Sequence, residues 1–378
     1  MASLLDRVKE RLFSLILAWV SRPGALRSYL DSKGLRPSHN LDAIDRRRVR
    51  VAAVQMRLEL LRRPRDYADR ALALTREAVD RGAQLVAFPE DAATHLLGLL
   101  PGIEALAARG SVESALEGMG RGIRVADIFR FLGPAMRRVY TVTFSCLARA
   151  LGVYIAAGSA VLPEPDGGVY NTAHLFGPDG RLVGTQRKLH LLPMEEQWGL
   201  SPGSELAVFE TPLGRVGLPV CMDATYFETF RLLSLLGAEV AVLPTANPEP
   251  YNLWKALRGV WPRVQESAVY AIHSCMVGEF FGMKLTGRSG IFAPRALAPG
   301  GPEGGEGVLA QLDDPEQEGV AVADLDLEAL ERFRAEWLQG AGWNPGFYRD
   351  HLLPAYAAYR GRCPEARRRL GAGAGARG

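Results

Sequence analysis

Several features that would place a protein in a special class are scarce in this sequence. Only four cysteines occur among 378 residues, and no two of them form a CxxC pair. That number is too small for a disulfide framework, so isolated thiols in a reducing compartment are the better interpretation. Hydrophobic residues make up 48% of the chain and charged residues 23%, and this ordinary balance excludes a mostly disordered, collagen-like or fibrous protein.

Long hydrophobic runs are also missing from the N-terminal region. The longest early run extends from Leu12 to Val20, whereas a membrane-spanning helix needs about 20 apolar residues. Residues 1–22 fit a signal peptide poorly, because the acidic Asp6 and Glu10 occupy the part that should be basic. We therefore expect a cytoplasmic protein, with peripheral membrane contact left open.

Charge of one sign does not dominate, since the formal net charge is only +3. The distribution is uneven, however. Residues 1–50 hold eleven Lys and Arg against five Asp and Glu, and residues 349–378 hold seven against two. A mildly acidic body thus lies between two basic ends, and this pattern does not indicate nucleic acid as a partner.

Residues 1–22 predict an amphipathic helix that ends near Pro23. The apolar residues at helical spacing are Leu4, Leu5, Val8, Leu12, Leu15, Ile16 and Trp19. Such a face packs on the body of the protein or on a second subunit, or it makes weak contact with a membrane surface. We interpret residues 23–49 as a basic linker, so that residues 1–49 form an N-terminal helix and linker.

From residue 50 to residue 336, short apolar strands alternate with helices. Strands are predicted at 51–54, 85–88, 153–158, 216–220, 240–243 and 271–277, and helices at 64–81, 134–151, 227–236 and 253–268. The turn 177–180 predicts a hairpin between 173–176 and 182–187. This pattern is typical of a layered α/β domain with a buried mixed sheet. Residues 337–378 are predicted to be a C-terminal tail with a flexible end.

One connection in this domain is unusually long. Residues 101–138 join the end of a strand to the next predicted helix and contain five glycines between 102 and 122. Connections of that length in a compact domain are uncommon and often functional. We expect a lid, or a wall supplied at a subunit contact, near the entrance of the site.

Polar side chains follow several of the predicted strands. Glu90, Lys188 and Cys221 each come directly after a strand or shortly beyond it, at the end where open α/β sheets bind their ligands. Alone, each residue has a structural explanation, because a glutamate or lysine is usually solvated and a cysteine often packs in the core. Together they indicate a catalytic set. No GxGxxG follows a strand and no GxxxxGK[ST] motif occurs, which argues against nucleotide-binding alternatives.

Three stretches around these residues resemble the signature motifs of the nitrilase superfamily, the carbon–nitrogen hydrolases. They are Pro89-Glu90, the segment RKLHLLP at 187–193 and the segment VCMD at 220–223. Further similar stretches lie in the same order at 170–173, 201–203, 209–212 and 287–294. The resemblance covers about residues 50–335. It implies a four-layer αββα sandwich that dimerises or assembles further, an amide-type small-molecule substrate, and no metal or organic cofactor.

The resemblance also implies a Glu–Lys–Cys catalytic set at Glu90, Lys188 and Cys221. In this chemistry the cysteine attacks the carbon and forms a thioester, while the glutamate acts as the general base. Lys188 and the backbone N–H of Met222 would hold the oxyanion. Glu196, eight residues after Lys188, is expected to orient the lysine or the substrate, in preference to its neighbour at 195.

Other residues complete the prediction. Asp223, Tyr226 and Asn247 are candidates for the substrate pocket, although Asp223 equally suits a structural cap. His190 is expected to brace its loop, and the buried cysteines to pack in the core. An acidic residue two positions after the nucleophile, here Asp223, resembles the pattern of the amidase-like branches of the family.

We therefore expect a hydrolase that cleaves a non-peptide carbon–nitrogen bond in an amide or a carbamoyl amine and releases ammonia or an amine. Two alternatives remain open at this point. One is a nitrilase or an acyltransferase with the same three residues. The other is a binding protein that keeps the fold without turnover.

Overall fold

The computed structural model describes residues 4–37, 44–119, 122–340 and 344–362. The chain forms two compact units, Met1–Leu330 and Glu331–Gly378. The first unit contains every predicted site residue.

The strands and helices alternate along most of the chain. The strands are β1 (Val49–Arg57), β2 (Leu85–Ala87), β3 (Tyr154–Pro163), β4 (Val169–Phe176), β5 (Leu182–Arg187), β6 (Val208–Thr211), β7 (Gly214–Gly217), β8 (Val240–Ala246), β9 (Tyr270–Phe280), β10 (Met283–Leu285), β11 (Gly290–Phe292), β12 (Val308–Gln311) and β13 (Gly319–Leu325). The helices are α1 (Leu4–Val20), α2 (Pro23–Asp31), α3 (Pro64–Asp80), α4 (Ile103–Ala107), α5 (Val112–Met119), α6 (Val125–Leu151), α7 (Pro193–Gln197), α8 (Phe227–Leu235), α9 (Leu253–Ala256), α10 (Val260–Ser267), α11 (Gly301–Gly304), α12 (Leu327–Gly340) and α13 (Pro345–Arg362).

Two groups of strands form the middle of the structure. In the first, β1, β2 and β3 run parallel, and β4, β5 and β13 are added through antiparallel pairs. In the second, β7, β8 and β9 run parallel, and β6, β11 and β12 are added through antiparallel pairs. The two groups join where β1 pairs with β9 at Met56 and Met276. The central strands are rich in Val, Ala and Ile because both of their faces are buried.

Helices cover the outer face of each group of strands. Helices α3 and α6 lie over the first group, where Tyr67, Tyr140 and Phe88 make edge-on ring contacts with Phe144. Helices α8 and α10 lie over the second group, with the buried Phe230 in their core. The result is the four-layer αββα sandwich that the family resemblance implied, and the predicted hairpin is present as β4 and β5.

The N-terminal region is more ordered than the sequence suggested. Helix α1 ends at Val20, close to the predicted position. The segment interpreted as a linker contains helix α2, which begins at Pro23 and buries Leu26 and Leu30 in the core. Proline suits the first turn of a helix, because no hydrogen-bond partner is needed there for the missing N–H. The segment interpreted as a basic linker therefore contains a helix that packs on the core.

Helix α1 is only partly covered. Leu17 is buried, and Phe13 stacks on Phe131 of α6 at a ring distance of 5.6 Å. The opposite apolar face is exposed at Leu12, Leu15, Ile16 and Trp19, between 47% and 68%. Within the described residues, no helix is long and apolar enough to cross a bilayer.

The long segment 101–138 is not a loop. It contains α4, α5 and the first half of α6, which begins at Val125 and not near 134. The Asp127 carboxylate accepts the Arg124 N–H at 3.0 Å and caps the start of α6. Pro134 lies inside α6, so the predicted start of this helix near residue 134 was wrong.

The C-terminal unit is also partly helical. Helix α13 lies within the predicted tail, where the sequence had suggested no element. The flexible end predicted at 371–378 lies outside the described residues.

Candidate active site

The structure brings Glu90, Lys188 and Cys221 together, although they lie far apart in the sequence. Each follows a strand end on the same side of the two sheets, after β2, β5 and β7. The Lys188 Nζ donates to Glu90 Oε1 at 2.8 Å, and Cys221 lies close enough to both charged groups for them to shift the pKa of its thiol. This is the arrangement that strand-end reasoning predicted.

Glu90 is buried and held from three sides. Besides Lys188, the Asn171 Nδ2 donates to Oε1 at 2.9 Å and the backbone N–H of Ala246 donates to Oε2 at 2.7 Å. These donors come from β4, from the residue after β5 and from the end of β8. The carboxylate orientation is thus fixed by three separate elements.

The turn that carries Glu90 needs a glycine on the neighbouring strand. Gly158 has a φ of +69°, and a Cβ at this position would lie 1.8 Å from the Pro89 carbonyl oxygen. Only a residue without a side chain allows this close approach.

Lys188 is almost completely buried, with 1% of its surface exposed. It bridges two carboxylates, because its Nζ also donates to Glu195 Oε1 at 2.9 Å. Desolvation lowers the pKa of Lys188, but Glu90, the nearby Cys221 and Glu195 outweigh it and raise this pKa well above the usual value. The lysine is therefore a fixed cation at the centre of the site.

The second glutamate is Glu195, and the prediction of Glu196 for this contact is corrected. Glu195 occupies the first turn of α7, where its Oε2 also accepts the Leu192 N–H at 2.7 Å. This capping bond fixes the direction of the side chain towards Lys188. Burial raises the pKa of Glu195 above its usual value, against the opposing effect of Lys188.

Cys221 lies at a strained position. Its φ is +45°, an uncommon value for a residue with a side chain, and it begins the 3-10 turn Cys221–Thr225. Desolvation and the charge of Glu90 raise the pKa of the thiol well above its usual value, while Lys188 lowers it. At neutral pH the resting group is therefore a thiol, with Glu90 placed to accept its proton.

Asp223 joins two segments through hydrogen bonds, and it is not among the residues that line the cavity beside Cys221, where it was one candidate for the substrate pocket. Its buried Oδ1 accepts the His190 N–H at 2.8 Å, and its Oδ2 accepts the Val220 N–H at 2.9 Å. His190 also places its Nδ1 2.9 Å from Oδ1 and stacks on Tyr226 at a ring distance of 4.4 Å. His190 thus braces its loop as predicted, whereas Tyr226 packs on His190 outside the cavity lining.

A cavity of about 770 Å³ opens beside the cysteine. The predicted residues Cys221, Met222 and Asn247 line it, together with His273 and Cys275. Burial lowers the pKa of His273 to about 4, so the ring is neutral, and its Nε2 lies 3.0 Å from Thr245 Oγ1. Cys275 is buried as expected, with its pKa raised to about 12 by desolvation.

Sequence reasoning missed some residues of this site. Asn171 was noted only as part of a similar stretch, and the Ala246 N–H carries no sequence signal because any residue supplies it.

The sequence is similar to those of known proteins. The family model described as carbon–nitrogen hydrolase matches residues 50–335. A protein named nitrilase from Pyrococcus abyssi is 33% identical over 74% of this chain and 90% of its own length. The omega-amidase NIT2 of Danio rerio is 28% identical over 76% of this chain and 91% of its own length.

Solved structures show the same fold. The crystal structure of a carbon–nitrogen hydrolase from Helicobacter pylori G27 has a TM-score of 0.60 at 21% identity, covering 81% of this chain and 98% of that one. The crystal structure of an amidase from Nesterenkonia sp. has a TM-score of 0.54 at 22% identity, covering 79% of this chain and 98% of that one. The chain therefore belongs to the carbon–nitrogen hydrolase family, in the nitrilase superfamily, and is an amidase-like enzyme of it.

Proposed function

We propose that the protein hydrolyses the carbon–nitrogen bond of a small amide or carbamoyl amine through a thioester on Cys221, and that it releases ammonia or an amine. The observation that carries this proposal is the buried Lys188, which bridges Glu90 and Glu195 beside the Cys221 thiol. Burying a cation between two carboxylates is costly unless the arrangement is used or fully compensated.

The first half of the reaction forms the thioester. The Cys221 sulfur attacks the carbonyl carbon while its proton passes to Glu90, whose carboxylate lies near the thiol. The oxyanion is held by Lys188 and by the backbone N–H of Met222. Collapse of this intermediate breaks the carbon–nitrogen bond, and Glu90 returns the proton to the leaving nitrogen. Glu195 positions the lysine ammonium throughout.

The second half regenerates the thiol. Water attacks the thioester carbon and gives up a proton to Glu90. The carbon–sulfur bond then breaks, the acid product leaves, and the thiolate recovers the proton from Glu90. The balance is one water consumed, with one acid and one ammonia or amine produced, and it needs no redox partner.

A nitrilase reaction is the second candidate, since a relative at 33% identity bears that name. The same cysteine would then attack a nitrile carbon. An acyltransferase would instead pass the thioester acyl group to an amine, and a binding protein would form no thioester.

The experiment is a panel of amides, carbamoyl amines and nitriles, with ammonia release and intact protein mass followed during turnover. We expect amide-dependent ammonia and a transient acyl mass in the wild type, and a loss of about 10³-fold or more in Cys221→Ala. Cys146→Ala, at a buried cysteine away from the site, is the control. Turnover of nitriles alone favours the nitrilase, and a reactive Cys221 without any acyl mass contradicts the proposal.

We also propose a homo-oligomer that forms through α8. Phe227, Leu232, Leu235 and Leu236 expose between 40% and 55% of their surface on this helix and just beyond it. Contiguous exposed apolar patches are rare on monomers. Sedimentation of the wild type should give a dimer or a larger species, and Leu232→Glu should give a smaller one. A monomeric wild type contradicts the proposed homo-oligomer.

The exposed apolar face of α1 is suited to contact with the surface of an anionic membrane. Such contact would make the enzyme, which we expect in the cytoplasm, a peripheral membrane protein. Trp19 and its apolar neighbours lie beside Arg11 and Arg22, within the basic N-terminal segment. The full chain should co-sediment strongly with vesicles rich in anionic lipid and only weakly with neutral vesicles. Trp19→Ser should bind the anionic vesicles less than the wild type does. Equal binding to neutral vesicles, or none to either, contradicts this.

A further inference from the structure

A second cavity lies beneath the helices of the segment 101–124, and we call it the α4–α5 cavity. Its volume is about 60 Å³. The helical part of its wall comes from Ile103 and Leu106 of α4 and from Val112 and Ala115 of α5. It shares no lining residue with the cavity beside Cys221, so a ligand of this cavity is bound apart from the nucleophile.

An unpaired acceptor in the wall, the Oδ1 of Asp91, is the first feature that points to a ligand. Asp91 lines the cavity, and its Oδ1 is shielded from solvent with no hydrogen-bond partner among the described residues. Leaving a buried oxygen without a donor is unfavourable. A ligand of this cavity should therefore carry a hydrogen-bond donor.

The charges around Asp91 favour a donor that is a cation. Glu195 is a second carboxylate in the lining, and Glu90 directly precedes Asp91 in the chain. The described lining residues include no lysine, arginine or histidine, and Lys188 is engaged by Glu90 and Glu195. Desolvation and the charges of Glu90 and Glu195 raise the pKa of Asp91, and the opposing charge of Lys188 does not reverse this effect. A bound cation would supply the positive charge that this carboxyl lacks.

Four aromatic side chains contribute to the wall, and they favour an organic cation. They are Phe129, Trp198, Phe280 and Phe281. The face of an aromatic ring attracts an ammonium group, and cages of such rings recognise alkylated ammonium ligands. A small metal ion would instead require several oxygen ligands. Carboxylates next to aromatic rings therefore indicate an organic ammonium group.

Two of the wall residues are held in uncommon backbone conformations. Asp91 has a φ of +59° and Phe281 a φ of +47°. Such values are rare for residues with a side chain, and strain of this kind is concentrated at sites of function. The turn of Phe281 is fixed by its neighbour, because a Cβ on Gly282 would lie 1.9 Å from the carbonyl oxygen of Gly110, between α4 and α5. The two strained residues are thus held in place by the surrounding structure.

The volume of the cavity limits the ligand to a small ion. An engineered apolar cavity of roughly 150 Å³ takes a benzene ring, so about 60 Å³ suits an ion of a few heavy atoms. A primary ammonium group has three N–H donors, and the lining offers oxygen acceptors on Asp91, Thr94 and Glu195. We propose that the α4–α5 cavity is a binding site for a small primary ammonium ion, such as methylammonium or ethylammonium, whose charged group pairs with Asp91. This site goes beyond the proposed hydrolysis, and its existence does not depend on it.

Isothermal titration calorimetry of the full chain in an amine-free buffer tests the chemistry of the ligand. Methylammonium chloride is the probe, and sodium chloride, tetramethylammonium chloride and ethanol are the comparisons. Sodium and tetramethylammonium have no N–H to donate, and ethanol has a donor but no charge. We expect saturable binding of methylammonium alone. No binding of methylammonium, or equal binding of ethanol or tetramethylammonium, overturns the proposal.

Three variants make the test specific to this cavity. Asp91→Asn removes the charge at nearly the same size and should weaken methylammonium binding about tenfold or more. Ala115→Phe places a ring in the cavity and should abolish binding. Ala105→Phe makes the same change on the exposed side of α4 and should bind as the wild type does. Thermal unfolding shows whether each variant is folded, and unchanged binding in folded Asp91→Asn or Ala115→Phe overturns the proposal.

Occupation of the cavity has a consequence for turnover, and this consequence rests on the proposed function. Glu195 lines the cavity and also accepts the hydrogen bond of Lys188, so a cation beside Glu195 weakens its hold on the lysine. Methylammonium should therefore lower kcat for acetamide without raising KM, and Ala115→Phe should be insensitive to it. A rise in KM alone would place the ion beside Cys221 and overturn the proposal. If the wild type hydrolyses no amide, the proposed function fails, while the calorimetry still tests the ammonium site.

Discussion

The carboxylate of Asp223 accepts the backbone N–H of His190 at 2.8 Å and thereby joins the turn of Cys221 to the loop that follows Lys188. The same carboxylate accepts the Val220 N–H at 2.9 Å, directly before the cysteine. The Asp223 carboxylate is fully buried, and its bonds to both segments help to set the position of the nucleophile relative to the lysine.

Asp223→Asn should weaken this connection. The amide keeps one oxygen acceptor but points an NH₂ group at a backbone donor, so we expect a loss of about 1.5–3 kcal/mol in the free energy of unfolding. The value of kcat should fall more than KM rises. Urea unfolding and steady-state kinetics check this, with the exposed Asp179→Asn as control. Wild-type kcat in a folded Asp223→Asn protein contradicts it.

Glu195→Gln should impair catalysis, whereas Glu196→Gln should not. Glu195 makes the bridging ion pair with Lys188, and removing a preorganised charge of this kind typically costs about 10²-fold in kcat. The pKa of Lys188 should also fall, because one of the anions that raise it is gone. The pH profile of kcat/KM measures this on its alkaline side. A larger effect at 196 would restore the prediction from sequence spacing.

The reactivity of Cys221 should rise with pH well past neutrality. Only the thiolate is alkylated, and the raised pKa of this thiol moves its formation above the usual value of about 8.5. Labelling by iodoacetamide should therefore show no plateau below about pH 9. A plateau near neutral pH would mean that a thiolate exists in the resting enzyme.

Glu90→Gln should have opposite effects on labelling and on hydrolysis. Removing the negative charge lowers the pKa of Cys221, so alkylation at neutral pH becomes faster. Amide hydrolysis should fall by about 10²-fold or more, because the general base is lost. Peptide mass spectrometry separates the label on Cys221 from any on the buried Cys275. Slower labelling in this variant argues against the assigned charge interaction.

Gly158→Ala should displace the turn that carries Glu90. The new Cβ would lie 1.8 Å from the Pro89 carbonyl oxygen, so the backbone must move. Gly167→Ala is the matched control, because Gly167 also has a positive φ, +81°, but meets no atom within 4 Å. The control should lose about 1 kcal/mol of stability with unchanged kcat. Gly158→Ala should lose more stability and most of its activity; equal kcat in both variants contradicts this.

Sequence patterns alone predicted the layered architecture and placed the three central residues at strand ends. Buried parallel strands require runs of apolar residues, and the polar residues that interrupt such runs must lie at strand ends. Since parallel strands end on one side of a sheet, the sequence predicts that Glu90, Lys188 and Cys221 lie on that side. Local sequence patterns also predicted the hairpin of β4 and β5 and the end of α1.

Contacts in the folded chain were needed to distinguish neighbouring residues from each other and to assign their roles. Adjacent residues of a helix point about 100° apart, so the capping bond to Leu192 makes Glu195 and not Glu196 face Lys188. Asp223 joins two segments because folding brings backbone N–H groups of both segments to its carboxylate oxygens. Likewise, α4 and α5 gain their stability from packing on the β9–β10 turn, and short helices of this kind are only marginally stable in isolation. Contacts between distant segments fixed these features, and no local pattern in the chain records such contacts.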